Sequence, residues 1–245
     1  MIIYEGPSLL DGQQIVVIAT GIKSKSSNGK TGGMIQTWIL LRDIDPREAN
    51  KSGADYGICG DCPHRGKATT ALDKVLAAER TCYVILFQAP LNVWKTYHRG
   101  NYDRAVDSEA IASVGTGRKV RLGSYGDPAA VPAYVWKALL SKSIGRTGYS
   151  HQSGLANADF VADIMMISAD NLAMAQGAWA NGHRTFRVID SMDDMDANEV
   201  LCPASKEAGE RTNCENCGLC AGSSIQAKSI AIVAHGNGAK YAATK

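Results

Sequence analysis

The sequence predicts an α/β protein with a partial β/α-barrel-like, mostly parallel sheet and a C-terminal cysteine-rich cluster segment. Three observations predict it. Short apolar, β-branched runs recur along the chain. In the second half they alternate with helix-like segments, the pattern of parallel strands joined by crossover helices. Four cysteines crowd into residues 202–220.

The expected strands, in order, are Ile15–Thr20, Ile35–Leu41, Cys82–Phe87, Val120–Ser124, Thr147–Ser150, Ile164–Ser168, Thr185–Ile189 and Ile230–Ala234. Each is a strand-length apolar run. The expected helices lie between them. Thr69–Arg80 carries Ala71, Leu72, Val75 and Leu76 at helical spacing. Pro90–Arg99 opens on a proline, which the first helical turn tolerates. Val106–Val114, Pro128–Leu140 and Asn171–Asn181 follow. Two regions are expected: an α/β core over 1–200 and a cysteine-rich, metal-binding segment over 201–245 packed on it. Polar residues fall just after several strands: Gly126 and Asp127, His151 and Gln152, Ser168 and Asp170, Asp190, His235 and Asn237. The carboxyl ends of parallel strands are where α/β proteins place their functional loops.

The chain has 245 residues and a net charge of +2. That near balance excludes nucleic-acid binding by bulk charge alone. No apolar run approaches the roughly 20 residues of a membrane span. The opening MIIYEGPSLL has neither a basic start nor a long apolar run. The expectation is a soluble protein of a cell's cytoplasm, with no membrane partner. There, clustered cysteines are metal ligands more often than disulfides. Residues 22–33 read as a polar hairpin tip or mobile segment. Gly29-Lys30-Thr31 has the end of a phosphate loop, but Ser24 stands where the upstream glycine is required. No Ser-His-Asp hydrolase motif and no dinucleotide fingerprint is present.

Seven cysteines form two sets. Cys202-Pro203 precedes Cys214, Cys217 and Cys220, with two residues in each of the last two gaps. Such a run can place three thiolates on one cubane cluster, with the fourth from Cys202, as bacterial ferredoxins combine a compact run with a Cys-Pro. The alternative is a four-cysteine zinc knuckle, although zinc sites more often pair two separated knuckles. Cys59, Cys62 and Cys82 form the second set. Two readings stay open there: a zinc site completed by His64 or His98, or a second iron–sulfur cluster with one iron open to a small molecule. Three protein ligands and an open position is the arrangement metals use for chemistry.

Between Trp94 and Arg104, aromatic and basic residues interleave. Such a patch can stack on bases and meet phosphates. The plainer reading is an amphipathic helix with Trp94 in the core and a solvated basic face. Trp38, Trp136 and Trp179 read as core. Asp127 is either an acceptor at the functional edge or a simple Asp-Pro helix start, and Asp170 could cap the helix after it.

MIQTWIL, ICGDCPHRG, QAPLNVW, RLGSYGDP and CENCGLC resemble a group of tailed-phage proteins, over residues 30–240. More distantly, the layout resembles radical S-adenosylmethionine enzymes that carry an auxiliary cluster. That resemblance implies Cys59, Cys62 and Cys82 as ligands of an open-site [4Fe-4S] cluster. It implies Gly126-Asp127-Pro128 in place of a Gly-Glu-Pro turn, and Ser168 facing the methionine carboxylate of S-adenosylmethionine. Cys202, Cys214, Cys217 and Cys220 would hold the auxiliary cluster, and an electron donor would be a partner. The chain departs from that pattern in the 19 residues between Cys62 and Cys82, and in Asp127 for Glu. The second class of function is a non-enzymatic module, held by zinc or iron–sulfur sites, that binds nucleic acid or protein.

Overall fold

The computed structural model describes residues 1–25, 28–152, 158–224 and 226–235. The expected Asn237 lies outside them. The chain opens with three antiparallel strands, β1 (Ile2–Pro7), β2 (Gln14–Thr20) and β3 (Ile35–Leu41). Ile15 to Ala19 are fully buried, so β2 is an interior strand that reads as a continuous apolar run. After β3 come α1 (Pro46–Ser52), α2 (Tyr56–Cys59), a 3-10 turn at Pro63–Arg65, and α3 (Ala89–His98). Then follow α4 (Ser108–Gly115), β4 (Lys119–Tyr125), a 3-10 turn at Pro128–Ala130, α5 (Ala133–Leu140), β5 (Gly145–Thr147) and β6 (Tyr149–Ser150). The chain continues through α6 (Ala158–Ile164), β7 (Met166–Ala169), α7 (Leu172–Ala180), β8 (Thr185–Ile189), β9 (Glu199–Leu201), α8 (Cys214–Cys217) and β10 (Ser229–Val233).

The strands form two five-stranded sheets, ordered β1-β2-β3-β4-β5 and β6-β7-β8-β10-β9. The first is mixed, with β3, β4 and β5 parallel. The second is wholly parallel. Only Gly148 separates β5 from β6, and its carbonyl accepts from the Met166 N–H at 3.0 Å. One stretch of chain therefore serves as the end strand of both sheets. Among the described residues no barrel is closed: β1 and β9 remain end strands. The cysteine-rich stretch expected from residue 201 leaves the second sheet after β9 and returns as β10, which lies between β8 and β9.

Two expected elements are absent for physical reasons. Thr69–Arg80 is not a helix: Leu72 is 98% exposed and Val75 is 55% exposed. The segment is held in an open loop by a bridge between Lys67 and Ala78 and by the Ala77 N–H donating to Asn50 Oδ1 at 3.1 Å. An apolar stripe makes a helix only where something packs against it. Cys82–Phe87 alternates in burial like a strand but has no neighbour to pair with. The Arg80 guanidinium instead satisfies the carbonyls of Cys82 and Val84, each at 2.8 Å. Elsewhere the differences are of extent. Pro132 divides the expected 128–140 helix into a 3-10 turn and α5. Ile164 ends a helix rather than starting a strand.

The main core lies between the first sheet and its helices. It includes Ile39, Val120, Leu122, Val135, Trp136 and Leu139. Trp136 is buried and donates its Nε1–H to the Pro128 carbonyl at 2.8 Å. No helix of the described residues is long and apolar enough to cross a membrane.

Candidate metal centres

The cysteine loop follows the carboxyl end of β3. Asp45 starts it by capping α1, accepting from the Arg47 N–H at 2.8 Å, and Gly53 ends that helix in the left-handed region. Arg65 then gathers the loop. Its Nε and Nη2 bond Asp55 at 3.0 and 2.6 Å, and its Nη1 and Nη2 reach the carbonyls of Gly60 and Gly53. Asn50 Nδ2 donates to Asp55 at 2.8 Å and to the Arg65 carbonyl at 3.0 Å. Cys59 closes α2 and Cys62 caps the following turn.

The tips of β4 and β6 meet this loop. The Asp127 N–H donates to the Ile58 carbonyl at 2.6 Å, and Gln152 Nε2 donates to the Cys59 carbonyl at 3.3 Å. Cys62 Sγ is 3.9 Å from His151 Nε2, which also lies 3.1 Å from Asp170 Oδ1. His64, His151 and Asp170 place one ligand atom each within 4.8 Å of one another. Asn171, not Asp170, caps α7, which leaves Asp170 to His151. His98 is elsewhere, against the Arg42 carbonyl and the Trp94 ring, and does not join the cysteines.

Asp127 starts the turn after β4 and ties it to the tip of β6. Its Oδ1 accepts from Ala129 N–H, starting the 3-10 turn, and its Oδ2 accepts from His151 N–H, both at 2.9 Å. Burial pushes its carboxyl above the usual range despite these bonds. Gly126 has φ +84°, and a Cβ there would stand 2.6 Å from Ile39 Cβ. Its close approach is to β3. Ser168 is buried on β7, where it pairs in register with Phe186.

In the four-cysteine set, Cys202 follows the carboxyl end of β9 and Cys214 to Cys217 form α8. α8 packs on the segments that lead into β3 and β4. Glu215 Oε2 accepts from the Gly33 N–H at 2.7 Å, the Glu215 carbonyl accepts from Lys119 Nζ, and the Cys214 N–H donates to the Lys30 carbonyl at 2.8 Å. The described part of the polar 22–33 loop is thus docked on the cysteine helix at Lys30 and Gly33. The Cys220 carbonyl accepts from Gly148 N–H, at the join of the two sheets.

All seven cysteines are free thiols. Burial pushes the Cys59 thiol well up and raises Cys82 as well, with Cys62 adding to both. Burial raises Cys202 and pushes Cys220 up to about 12, with the other cysteines of that set adding to each. The buried Cys59, Cys82, Cys202 and Cys220 thiols therefore resist ionisation unless a positive charge joins them. A metal supplies that charge, and its binding releases the protons. Burial opposes the His151 charge, but Cys62 and Asp170 outweigh it and hold the imidazole well above its ordinary value.

The donor set can be tested against a cluster. Unbonded buried guanidinium nitrogens lie beside both sets: Arg80 Nε by the first, Arg121 Nε and Arg184 Nε and Nη2 by the second. Buried unpaired cations are costly unless an anion is near. A metal site with three or four thiolates is such an anion. Among the described residues no three cysteine sulfurs lie within 4.8 Å of one another. A tetrahedral zinc, with Zn–S of about 2.3 Å, holds its sulfurs about 3.8 Å apart. A cubane takes each thiolate on a different iron and spreads them further. No three of the described cysteine sulfurs are gathered at the zinc spacing.

Arg65, Asp55, Arg80, Arg121 and Arg184 were missed by motif reading. A signal existed for Arg121, a charge inside the otherwise apolar run Val120–Leu122, because a cation in a buried strand is unusual. No protein-family model, no curated protein and no solved structure matches the chain.

Proposed function

We propose that this chain is a phage-type iron–sulfur enzyme of the radical S-adenosylmethionine-like class. In this reading Cys59, Cys62 and Cys82 hold an open-site [4Fe-4S] cluster at the carboxyl ends of β4 and β6. Cys202, Cys214, Cys217 and Cys220 hold an auxiliary cluster, and the parallel run from β3 to β8 is read as a partial barrel. One observation carries the proposal: the thiols segregate into a three and a four, each beside buried guanidinium nitrogens that lack partners.

The open-site cluster, reduced by an external donor, would supply an electron to bound S-adenosylmethionine. The chain's own groups do the rest. Arg65 and Asp55 fix the cysteine loop. Asp127 ties the tip of β4 to His151, so the polar edge beside Cys62 keeps its shape. Gly126 lets that tip sit flush on Ile39. Ser168, on the neighbouring β7, is the hydroxyl proposed to meet the cofactor's carboxylate.

The test is iron, sulfide and zinc content with an absorption spectrum, on full-length protein purified without oxygen. About eight irons per chain, two cubanes of four, is expected. The reduced protein should then cleave S-adenosylmethionine. Absence of iron, or two loaded clusters with no binding of S-adenosylmethionine, overturns the reading.

A second reading is favoured by the His64, His151 and Asp170 group beside Cys62. Histidine and carboxylate donors suit zinc. About four irons and one zinc would make the first site a structural one, in a module that binds a partner. Trp94 is half-buried with its Nε1–H on the Leu41 carbonyl, leaving exposed Lys95 and Arg99 as a solvated face. Salt-dependent RNA or DNA binding that weakens in Lys95→Ala and Arg99→Ala would support this module.

A further inference from the structure

We propose that Arg121 and Arg184 are positioning residues that set the reduction potential of the cluster on Cys202, Cys214, Cys217 and Cys220. The inference rests on the iron–sulfur reading above and assigns a role to two residues outside every cysteine motif.

Both side chains belong to residues only 4% exposed. The buried arginine Arg187 has Glu199, and the half-buried Arg65 has Asp55. No carboxylate among the described residues forms an ion pair with Arg121 or Arg184. Arg121 projects from β4. Its Nη2 donates to Tyr83 Oη at 3.1 Å, and its guanidinium carbon lies 4.4 Å from the centre of the Tyr149 ring. Tyr149 and Cys220 in turn interact electrostatically. Arg184 Nη1 donates to the carbonyl of Leu219, one of the two residues between Cys217 and Cys220, at 2.8 Å. Its backbone N–H bonds the Ser223 carbonyl at 2.9 Å, which ties the start of β8 to the same loop. Arg121 Nε, Arg184 Nε and Arg184 Nη2 remain buried without acceptors.

A buried cation without a carboxylate calls for another anion. The thiolate-bound cluster is that anion, and it gains one more negative charge on reduction. Two fixed positive charges therefore favour its reduced form and raise its potential, since net charge and local hydrogen bonding are what tune such clusters. Tyr83 is the neighbour of Cys82, so Arg121 also joins the two cysteine sets through Tyr83 on one side and Tyr149 on the other.

The test is a potentiometric titration with dithionite, followed by electron paramagnetic resonance, on anaerobically purified full-length protein with iron and sulfide counted first. In Arg121→Met the reduced-to-oxidised ratio of the four-cysteine cluster, read at the wild-type midpoint, should fall about tenfold. That is a downward shift of about 59 mV for one electron. Arg184→Met should shift it the same way. Arg121→Lys and Arg184→Lys should stay near the wild type, and the three-cysteine cluster should move less. If a methionine variant does not fold, the glutamine variant at the same position replaces it. Full iron with an unmoved midpoint in both charge-removing variants overturns the inference and leaves the cluster reading standing. An equal shift in the lysine variants overturns it too, because packing rather than charge would then be responsible. A wild-type protein without iron fails the cluster reading itself, before any variant is made, and the inference falls with it.

Discussion

Arg65 grips Asp55 through Nε and Nη2, at 3.0 and 2.6 Å, with the Asp55 side chain 3% exposed. This pair, rather than the cysteines, holds the loop that carries Cys59 and Cys62. Removing one partner of a buried pair leaves an uncompensated charge. Arg65→Met should therefore cost about 3–5 kcal/mol. Denaturant unfolding measures the loss. Iron should leave the three-cysteine site while the four-cysteine site stays loaded. A variant as stable as the wild type would show that the loop is held by other contacts.

Gly126 tests the tip of β4. Alanine there would bring both a strained backbone, at φ +84°, and a collision with Ile39. The strain alone costs about 1–3 kcal/mol. Gly117 has φ +63° but open space around it, so Gly117→Ala carries the strain without the collision. The unfolding midpoint of Gly126→Ala should fall further than that of Gly117→Ala. Equal midpoints would mean that β3 yields to the added carbon.

Cysteine replacements separate the two sets. Cys59→Ala should fold, retain about four of eight irons and lose S-adenosylmethionine cleavage. Cys214→Ala should lose the other cluster and loosen the Lys30 to Gly33 segment, which is bonded to α8. Proteolysis of that segment and the iron count report on each. If Cys59→Ala is as insoluble as Cys214→Ala, the first site holds the fold rather than performing chemistry.

Asp45 gives the loop an acid-sensitive start. The Arg47 side chain, its largest influence, holds the Asp45 carboxyl below the usual range. A carboxyl with a depressed folded value adds stability above its unfolded value, near 3.8, and loses it as pH falls through the folded one. Asp45→Asn keeps a capping oxygen and loses the charge, whereas Asp45→Ala also loses the cap, at about 1 kcal/mol. The gap in unfolding free energy between wild type and Asp45→Asn should be widest near neutral pH and close as pH falls below 3.8 and through the folded value. A gap that does not change with pH would show that only the cap bond matters.

The sequence was informative where structure follows from local pattern. The runs at Ile15–Thr20 and Ile35–Leu41 became strands buried on both faces, and Thr185–Ile189 became one whose burial alternates along its length. Pro90 and Asn171 marked helix starts because their backbone preferences act locally. Where the same signals lacked a tertiary partner they failed. Leu72 and Val75 have helical spacing but nothing to pack on, and Cys82–Phe87 has strand composition but no adjacent strand.

By itself the sequence determined the α/β class, the presence of parallel strands and the partition of seven cysteines by spacing. These depend on periodicity and on neighbours within a few residues. Only the tertiary structure decided that His151 meets Cys62, that Asp127 binds the loop after β3 to the loop after β6, and that Arg121 and Arg184 lie buried beside the second set. Those relationships join residues 24 to 99 positions apart in the chain. Burial, the removal of water from charges that the sequence displays in isolation, gives them their chemical force.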